Sequence, residues 1–306
     1  MISILLLSLI SSWGYSGHFA IGNLTMKLLP DDILSKVTSM LLNDTSDTAV
    51  GRIYAGSLGR ASTWPDYIKR YADFQWSKSI HYVDTNDNPP DTCAYLINDC
   101  SGDGPYSCLI SAINHFYTHL GQDIAPILNS GPVSTLTAVQ GLKFFVHLVQ
   151  DLHQPLHVCG RERGGNGMKV RFGRKRTNLH SVWDSLMINK RIKDDFKNRR
   201  QDWINSLFEK TTLFTDICLS DCQKVQCTID SETCLQNWTS WINKLNCKTT
   251  WQLDDDALGL NMHEQFNIDD TVDLSGEYYK RNVKLMEDLI VTAAIRSATM
   301  MIAKFK

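Results

Sequence analysis

The segment Leu136–Leu152 constrains this chain more than any other. Its core, LKFFVHLVQDL, has the length and apolar content of a buried helix, and Pro155 ends it. Within that apolar stretch His147 and Asp151 stand four residues apart, on one helical face. An imidazole and a carboxylate are costly to bury unless they are paired or ligate a metal. His157 follows just past Pro155, where the turning chain can offer a third donor. The same spacing recurs at His180 and Asp184, near the start of another helix. Two such pairs, each beside an apolar face, are hard to explain by packing alone. Asp66 follows Trp64-Pro65, and His81 opens the run His81-Tyr82-Val83-Asp84. Together these nitrogen and oxygen donors suit zinc and exceed what one four-coordinate ion needs, so the pattern points to a multinuclear cluster. His115 and His119 are also four apart, but an isolated histidine pair on a helix is more commonly a surface or core feature. His153 and His263 carry no stronger signal, although His153 is placed to support a ligand.

The rest of the chain reads as mainly α and as one domain. Helical periodicity covers Ala20–Leu29, Asp31–Leu42, Ile53–Arg60, Cys108–Leu120, Val182–Trp203 and Tyr278–Lys304. Residues 84–105 read as a loop rich in Asn, Asp, Pro and Gly, and residues 216–247 as a Cys-rich excursion. Strand signals are few. They centre on Val170–Phe172, inside a basic loop or hairpin spanning residues 160–178. Eight Trp, eleven Phe and ten Tyr in 306 residues supply ample core and exclude disorder as the dominant state. The formal net charge is −2, which argues against a protein that coats nucleic acid generally. Any engagement of nucleic acid has to be local or carried by metal ions. Seven basic side chains between Arg161 and Arg176 are one local source of positive charge, either attracting a phosphate backbone or simply solvating a hairpin.

The N-terminus predicts export. Residues 2–10, ISILLLSLI, are too short to span a bilayer and are followed by Ser11-Ser12, small residues suited to leader cleavage. Cleavage there makes Trp13 the first residue. Nine cysteines without a C-x-x-C pair favour disulfides over a thiolate zinc site, with one thiol left over. Sequons at Asn23, Asn43 and Asn237 permit glycosylation. A secreted or vacuolar-type protein without stable membrane insertion is expected.

The motifs WGYSGH (Trp13–His18), ASTWPDYIK (Ala61–Lys69), HYVD (His81–Asp84), HLVQDLHQPLH (His147–His157), GGN (Gly164–Asn166) and NLHSVWD (Asn178–Asp184) occur in that order. In that order they resemble the zinc-dependent single-strand-specific nucleases and 3′-nucleotidases of fungi and plants, which share their fold with zinc phospholipase C. The resemblance covers nearly the whole chain after Ser12. It implies a mainly helical single-domain fold with a short β-hairpin, with residues 1–12 as the leader and 13–306 as the nuclease domain.

The resemblance also implies three zinc ions. One is held by Asp66, His81, His147 and Asp151, and a second by His157, His180 and Asp184. The third is held by the α-amino group and carbonyl of Trp13, by His18, and by Asp151 as a bridge. The implied reaction is attack of zinc-held hydroxide on phosphorus, cleaving single-stranded DNA or RNA to 5′-nucleotides and removing 3′-phosphates. Asp66 orients the nucleophile and Lys69 stabilises transition-state charge. Tyr82 stacks a base, Asp84 bonds a base edge, and Gly165 with Asn166 faces that pocket. Disulfides Cys93–Cys247 and Cys100–Cys108 are implied, with Cys218, Cys222, Cys227 and Cys234 pairing locally and Cys159 unpaired. A monomer is expected. Two alternatives stay open: a phospholipase C of the same fold, whose second site usually carries Glu where this chain has Asp184, and a non-catalytic zinc-binding homologue.

Overall fold

The structure is a computed structural model. It describes residues 13–44, 56–100, 102, 104–127, 131–132, 134–224, 232–253 and 271–306, with the side chains of 213–224 and 232–233 not described. The leader expected at 1–12 lies outside these residues, as do Ile53 and His263.

The chain is mainly helical, as its periodicity predicts. Helices α1 (Tyr15–Leu28) and α2 (Asp31–Leu42) lead into two short helices, α3 (Leu58–Ala61) and α4 (Trp64–Ile68). α5 (Leu109–Thr118) packs on α6 (Ala138–Leu152). Thr137 starts α6: its hydroxyl accepts from Gln140 N at 3.2 Å while Gln140 Oε1 accepts from Thr137 N at 2.9 Å. From Gln140 to Leu152 every residue of α6 is buried, so this helix is the centre of the molecule.

Strands β1 (Lys169–Phe172) and β2 (Lys175–Asn178) form an antiparallel hairpin with Val170 opposite Thr177. α7 (Leu179–Ser181) continues through a π-turn at Val182–Leu186 into α8 (Met187–Phe196). α9 (Arg200–Lys224), α10 (Glu232–Leu245) and the long α11 (Glu277–Phe305) complete the fold. α11 lies against α1, α6, α8 and α9, and buried Glu287 joins three elements there. Its carboxylate accepts from Arg191 Nε at 2.8 Å, from Trp203 Nε1 at 3.0 Å, and from Lys210 Nζ. No helix among the described residues is long and apolar enough to cross a membrane.

Three expectations are corrected. The helix predicted over Val182–Trp203 is broken, because Lys197 and Asn198 take left-handed backbone at φ 51° and 63°. Asn198 N then bonds back to Ile192 O at 3.0 Å, closing α8 by main-chain hydrogen bonding without a glycine. Much of the Cys-rich excursion is helical, since α9 and α10 run into it from both sides. The first helix starts at Tyr15, not Ala20, which places His18 on a helix rather than in a loop.

Cys93–Cys247 and Cys100–Cys108 are bonded as the resemblance implied. Cys234 is disulfide-bonded, while the side chains of Cys218, Cys222 and Cys227 lie outside the described set. Cys159 is a free, buried thiol, and burial pushes it up to about 12.

Candidate metal centre

Four segments converge at the C-terminal half of α6. α1 brings His18, the start of α4 brings Asp66, the turn before Tyr82 brings His81, and α6 itself brings His147 and Asp151. Asp151 sits in the middle. Its Oδ2 lies 2.8 Å from His81 Nδ1 and 3.1 Å from His147 Nε2, and its Oδ1 lies 3.4 Å from His18 Nε2. Asp66 faces the same atoms from the far side. Its oxygens are 3.7 Å from His147 Nε2 and 3.8 Å from both His81 Nδ1 and His18 Nε2. His18, Asp66 and His147 form one group whose ligand atoms all lie within 4.8 Å; His81, His147 and Asp151 form a second.

The third group is His157, His180 and Asp184, with His180 Nε2 3.2 Å from Asp184 Oδ2. It adjoins the others through the backbone. Val83 N bonds His157 O at 2.8 Å, and His157 Nδ1 donates to His81 O at 2.6 Å, so the segment His81–Val83 and the turn after Pro155 are tied together by a parallel bridge.

The imidazoles are held by their Nδ1 atoms. His147 donates to Ser62 O at 2.7 Å, His157 to His81 O, His180 to Gly164 O at 2.7 Å, and His18 to Gln150 Oε1 at 2.6 Å. Each Nδ1–H bond leaves Nε2 as a lone pair directed inward, the arrangement in which histidine binds a metal. His81 is the exception, since its Nδ1 faces the carboxylates. The Nε2 of His157 and the Oδ1 of Asp151 are buried with no hydrogen-bond partner. Buried polar atoms are normally paired, so these orphans mark donors that await an ion.

Burial sets the protonation states. It lowers His18, His81 and His147 to about 4, and it holds His157 well below the ordinary range, keeping these rings neutral. Burial lowers His180 too, but the Asp184 carboxylate beside it wins and the ring is raised. Asp151 and Asp184 are raised by burial, so both need positive charge to remain ionised there. Burial also acts upward on Asp66, yet the Lys69 ammonium beside it prevails and holds it well below the usual carboxylate range. Lys69 Nζ donates to Asp66 Oδ1 at 2.6 Å, and only 14% of its side chain is exposed.

Trp13 is buried, its indole donating to Gln150 O at 3.0 Å, and Gly14 N bonds Asp184 O at 2.7 Å. The N-terminal segment is thereby fixed against both His–Asp segments. Tyr82 is an exposed ring and Asp84 an exposed carboxylate raised by partial burial, two residues apart on the strand leaving His81. Gly164 takes φ +60°, and a Cβ there would meet Leu156 O at 2.5 Å, so only glycine lets its carbonyl reach His180. Gly165 is buried beside it, and Asn166 turns its amide to Arg163 O at 2.8 Å. His115 and His119 stay apart from the cluster. His115 packs edge-on against Tyr106, and His119 Nδ1 donates to His115 O. His153 spans Val149 O and Arg296, a structural role.

Two residues of the site escape the motif reading. Gln150 holds His18, and Gln154 Nε2 donates to Asp184 Oδ1 at 2.8 Å. Both are buried amides amid apolar residues, and that burial signals a polar partner.

A sequence model of the S1/P1 nuclease family matches residues 13–306. Nuclease S1 of Aspergillus oryzae is 29% identical to this chain, over 94% of the chain and 89% of that protein. Endonuclease 4 of Arabidopsis thaliana is 26% identical over 94% of the chain and 87% of its own length. Nuclease P1 of Penicillium citrinum is 29% identical over 64% of the chain and 66% of its own length. The match begins at Trp13, the residue fixed against the His–Asp centre, and runs to the last residue. The chain therefore belongs to the zinc-dependent S1/P1 nuclease family and is a nuclease that hydrolyses phosphodiester bonds.

Proposed function

We propose that this chain is a secreted nuclease that cleaves single-stranded DNA and RNA to 5′-nucleotides, releases phosphate from 3′-nucleotides, and uses three zinc ions. The observation that carries the proposal is the pair of separate buried His–Asp groups joined to a further histidine, His18, through the shared carboxylate of Asp151. Asp66, His81, His147 and Asp151 would hold one ion, and His157, His180 and Asp184 a second. His18 and Asp151 would hold the third, with the α-amine and carbonyl of Trp13 after leader removal. When bound, zinc makes water a nucleophile at neutral pH and offsets charge on phosphate oxygens.

The chain's own groups do the rest. Asp66 stays ionised beside Lys69 and orients the attacking oxygen. Lys69 meets the charge that builds on the phosphate. Tyr82 offers an exposed ring to a base, with Asp84 and the Gly165–Asn166 turn reading its edge. A base must leave its stack to lie on such a ring, which favours single strands. The basic hairpin favours nucleic acid over phospholipid as substrate.

Metal content per chain should be three zincs. Hydrolysis should be measured on single-stranded RNA, duplex DNA, 3′-AMP and phosphatidylcholine, with and without chelator. Chelator-sensitive cleavage of the first and third substrates is expected. Activity confined to phosphatidylcholine, or none with zinc fully loaded, would overturn the reading.

A further inference from the structure

The hairpin β1–β2 is rooted in the metal centre at both ends. Before β1, Gly164 O holds His180 Nδ1; after β2, Asn178 caps α7 by accepting from Ser181 N at 2.8 Å, next to His180 itself. Leu179 N closes the root onto Met168 O at 3.0 Å. Strands of four residues then extend about 13 Å outward at ~3.3 Å per residue. On β1 the inward positions are apolar: Val170 is buried, and Phe172 packs edge-on against Tyr279.

The other positions carry cations. Lys169, Arg174, Lys175 and Arg176 are exposed. Arg171 and Arg176 stand directly opposite each other in the register. Arg171 is tied down by Thr271 O at 3.1 Å. Asp273, the acid beside the tip, is occupied by Gly173 N and Ser275 N, each at 2.9 Å. Lys169, Arg174 and Lys175 make no ion pair with the described residues. A chain with net charge −2 has gathered Lys169, Arg171, Arg174, Lys175 and Arg176 on one short hairpin, a local concentration of positive charge suited to phosphates.

From this placement we infer that the hairpin is a backbone-binding arm, which holds phosphates of a polynucleotide several residues away from the bond being cut. The inference rests on the nuclease reading above and adds a second, sequence-independent contact region for long substrates. Phosphate contacts of this type position a strand without reading it. A nucleic-acid strand fits better than an anionic membrane surface. None of the exposed large apolar side chains among the described residues lies on the hairpin, so it has nothing to insert into lipid.

The test uses the full zinc-loaded protein with Lys169→Gln, Arg174→Gln and Lys175→Gln combined. kcat/KM is measured from low to moderate salt on a long single-stranded RNA and on a dinucleoside monophosphate. With RNA, the variant should lose roughly tenfold or more at low salt. Its slope of log(kcat/KM) against log[salt] should become shallower by about 0.7 per contact removed. With the dinucleotide, it should match the wild type within about twofold. Unchanged kinetics on RNA would overturn the arm. An equal loss on the dinucleotide would also overturn it, because the hairpin would then act only by shaping His180. Binding to phosphatidylserine vesicles that the variant loses, with RNA cleavage intact, would reassign the patch to membranes. A wild type inactive on both nucleic-acid substrates would refute the nuclease reading itself, a result separable from all of these.

Discussion

Gln150 Oε1 lies 2.6 Å from His18 Nδ1, and both side chains are fully buried. That bond fixes which nitrogen of His18 carries the proton, and so leaves Nε2 facing Asp66 and Asp151. The same residue's carbonyl holds the indole of Trp13. Gln150 therefore holds both His18 and Trp13 of the N-terminal segment.

Gln150→Leu removes the acceptor while keeping most of the volume. Losing such a supporting partner typically costs 10–100-fold in metal affinity. We expect one zinc per chain to be bound that much more weakly, with the other two retained. Zinc titration of metal-free protein checks this, and Gln150→Glu, which keeps an acceptor, should restore much of the loss. Three equally tight zincs in Gln150→Leu would show that the bond is only packing.

Lys69→Ala should leave zinc content unchanged and lower kcat by about 10²–10³, the usual effect of losing one electrostatic donor to a transition state. Lys69 already points at the reacting region through its bond to Asp66. A change confined to KM would return it to the role of a partner that merely keeps Asp66 ionised.

Tyr82→Ala should weaken oligonucleotide binding by roughly 1–3 kcal/mol for the base it stacks. The ring is 38% exposed and forms no part of the His–Asp groups, so the metal content should not move. Equal affinities for mutant and wild type, read by competition with a nucleoside monophosphate, would remove Tyr82 from the site.

Glu287 predicts a pH dependence of stability. Burial raises it, but hydrogen bonds and charge from Arg191 and Lys210 prevail, and its carboxyl is lowered below 4.5. A depressed carboxyl means that the unfolded chain takes up its proton first as pH falls. Its contribution is therefore complete above pH 4.5 and is lost as pH drops through the folded value. Glu287→Gln should cost about 1.5–3 kcal/mol at pH 7, as hydrogen bonds to charged groups do. Thermal unfolding of the two proteins should converge in acid. A gap independent of pH would mean that shape, not charge, holds the three elements together.

An extra residue before Trp13 tests the N-terminus. It turns the α-amine into an amide, which has no available lone pair at neutral pH. One zinc should be lost or bound much more weakly, with His157, His180 and Asp184 still loaded. Three zincs in the extended protein would make Trp13 a packing residue only.

The clustered His–Asp pairs were legible because their chemistry demanded partners. His147 and Asp151 sit in an apolar helix where neither belongs without a partner, and the spacing repeats at His180 and Asp184. The hairpin was legible from Val170–Phe172 between glycine and basic residues. The break at Lys197–Asn198 was not, because main-chain bonding ends α8 where no glycine or proline announces it. Gln150 and Gln154 were hidden for another reason. An amide is polar at any position, and only its burial, which a sequence does not print, shows that it must be bonded.

The long helix α11 supplies none of the His–Asp ligands, yet it is the surface on which α1 and α6 rest. That arrangement places an order on biosynthesis. A chain emerging from the ribosome has made its last candidate ligand, Asp184, well before α11 exists. The contact of α1 with α6 then lacks the face that α11 covers. The last element to be made, a 29-residue helix, is thus the one that backs the candidate centre.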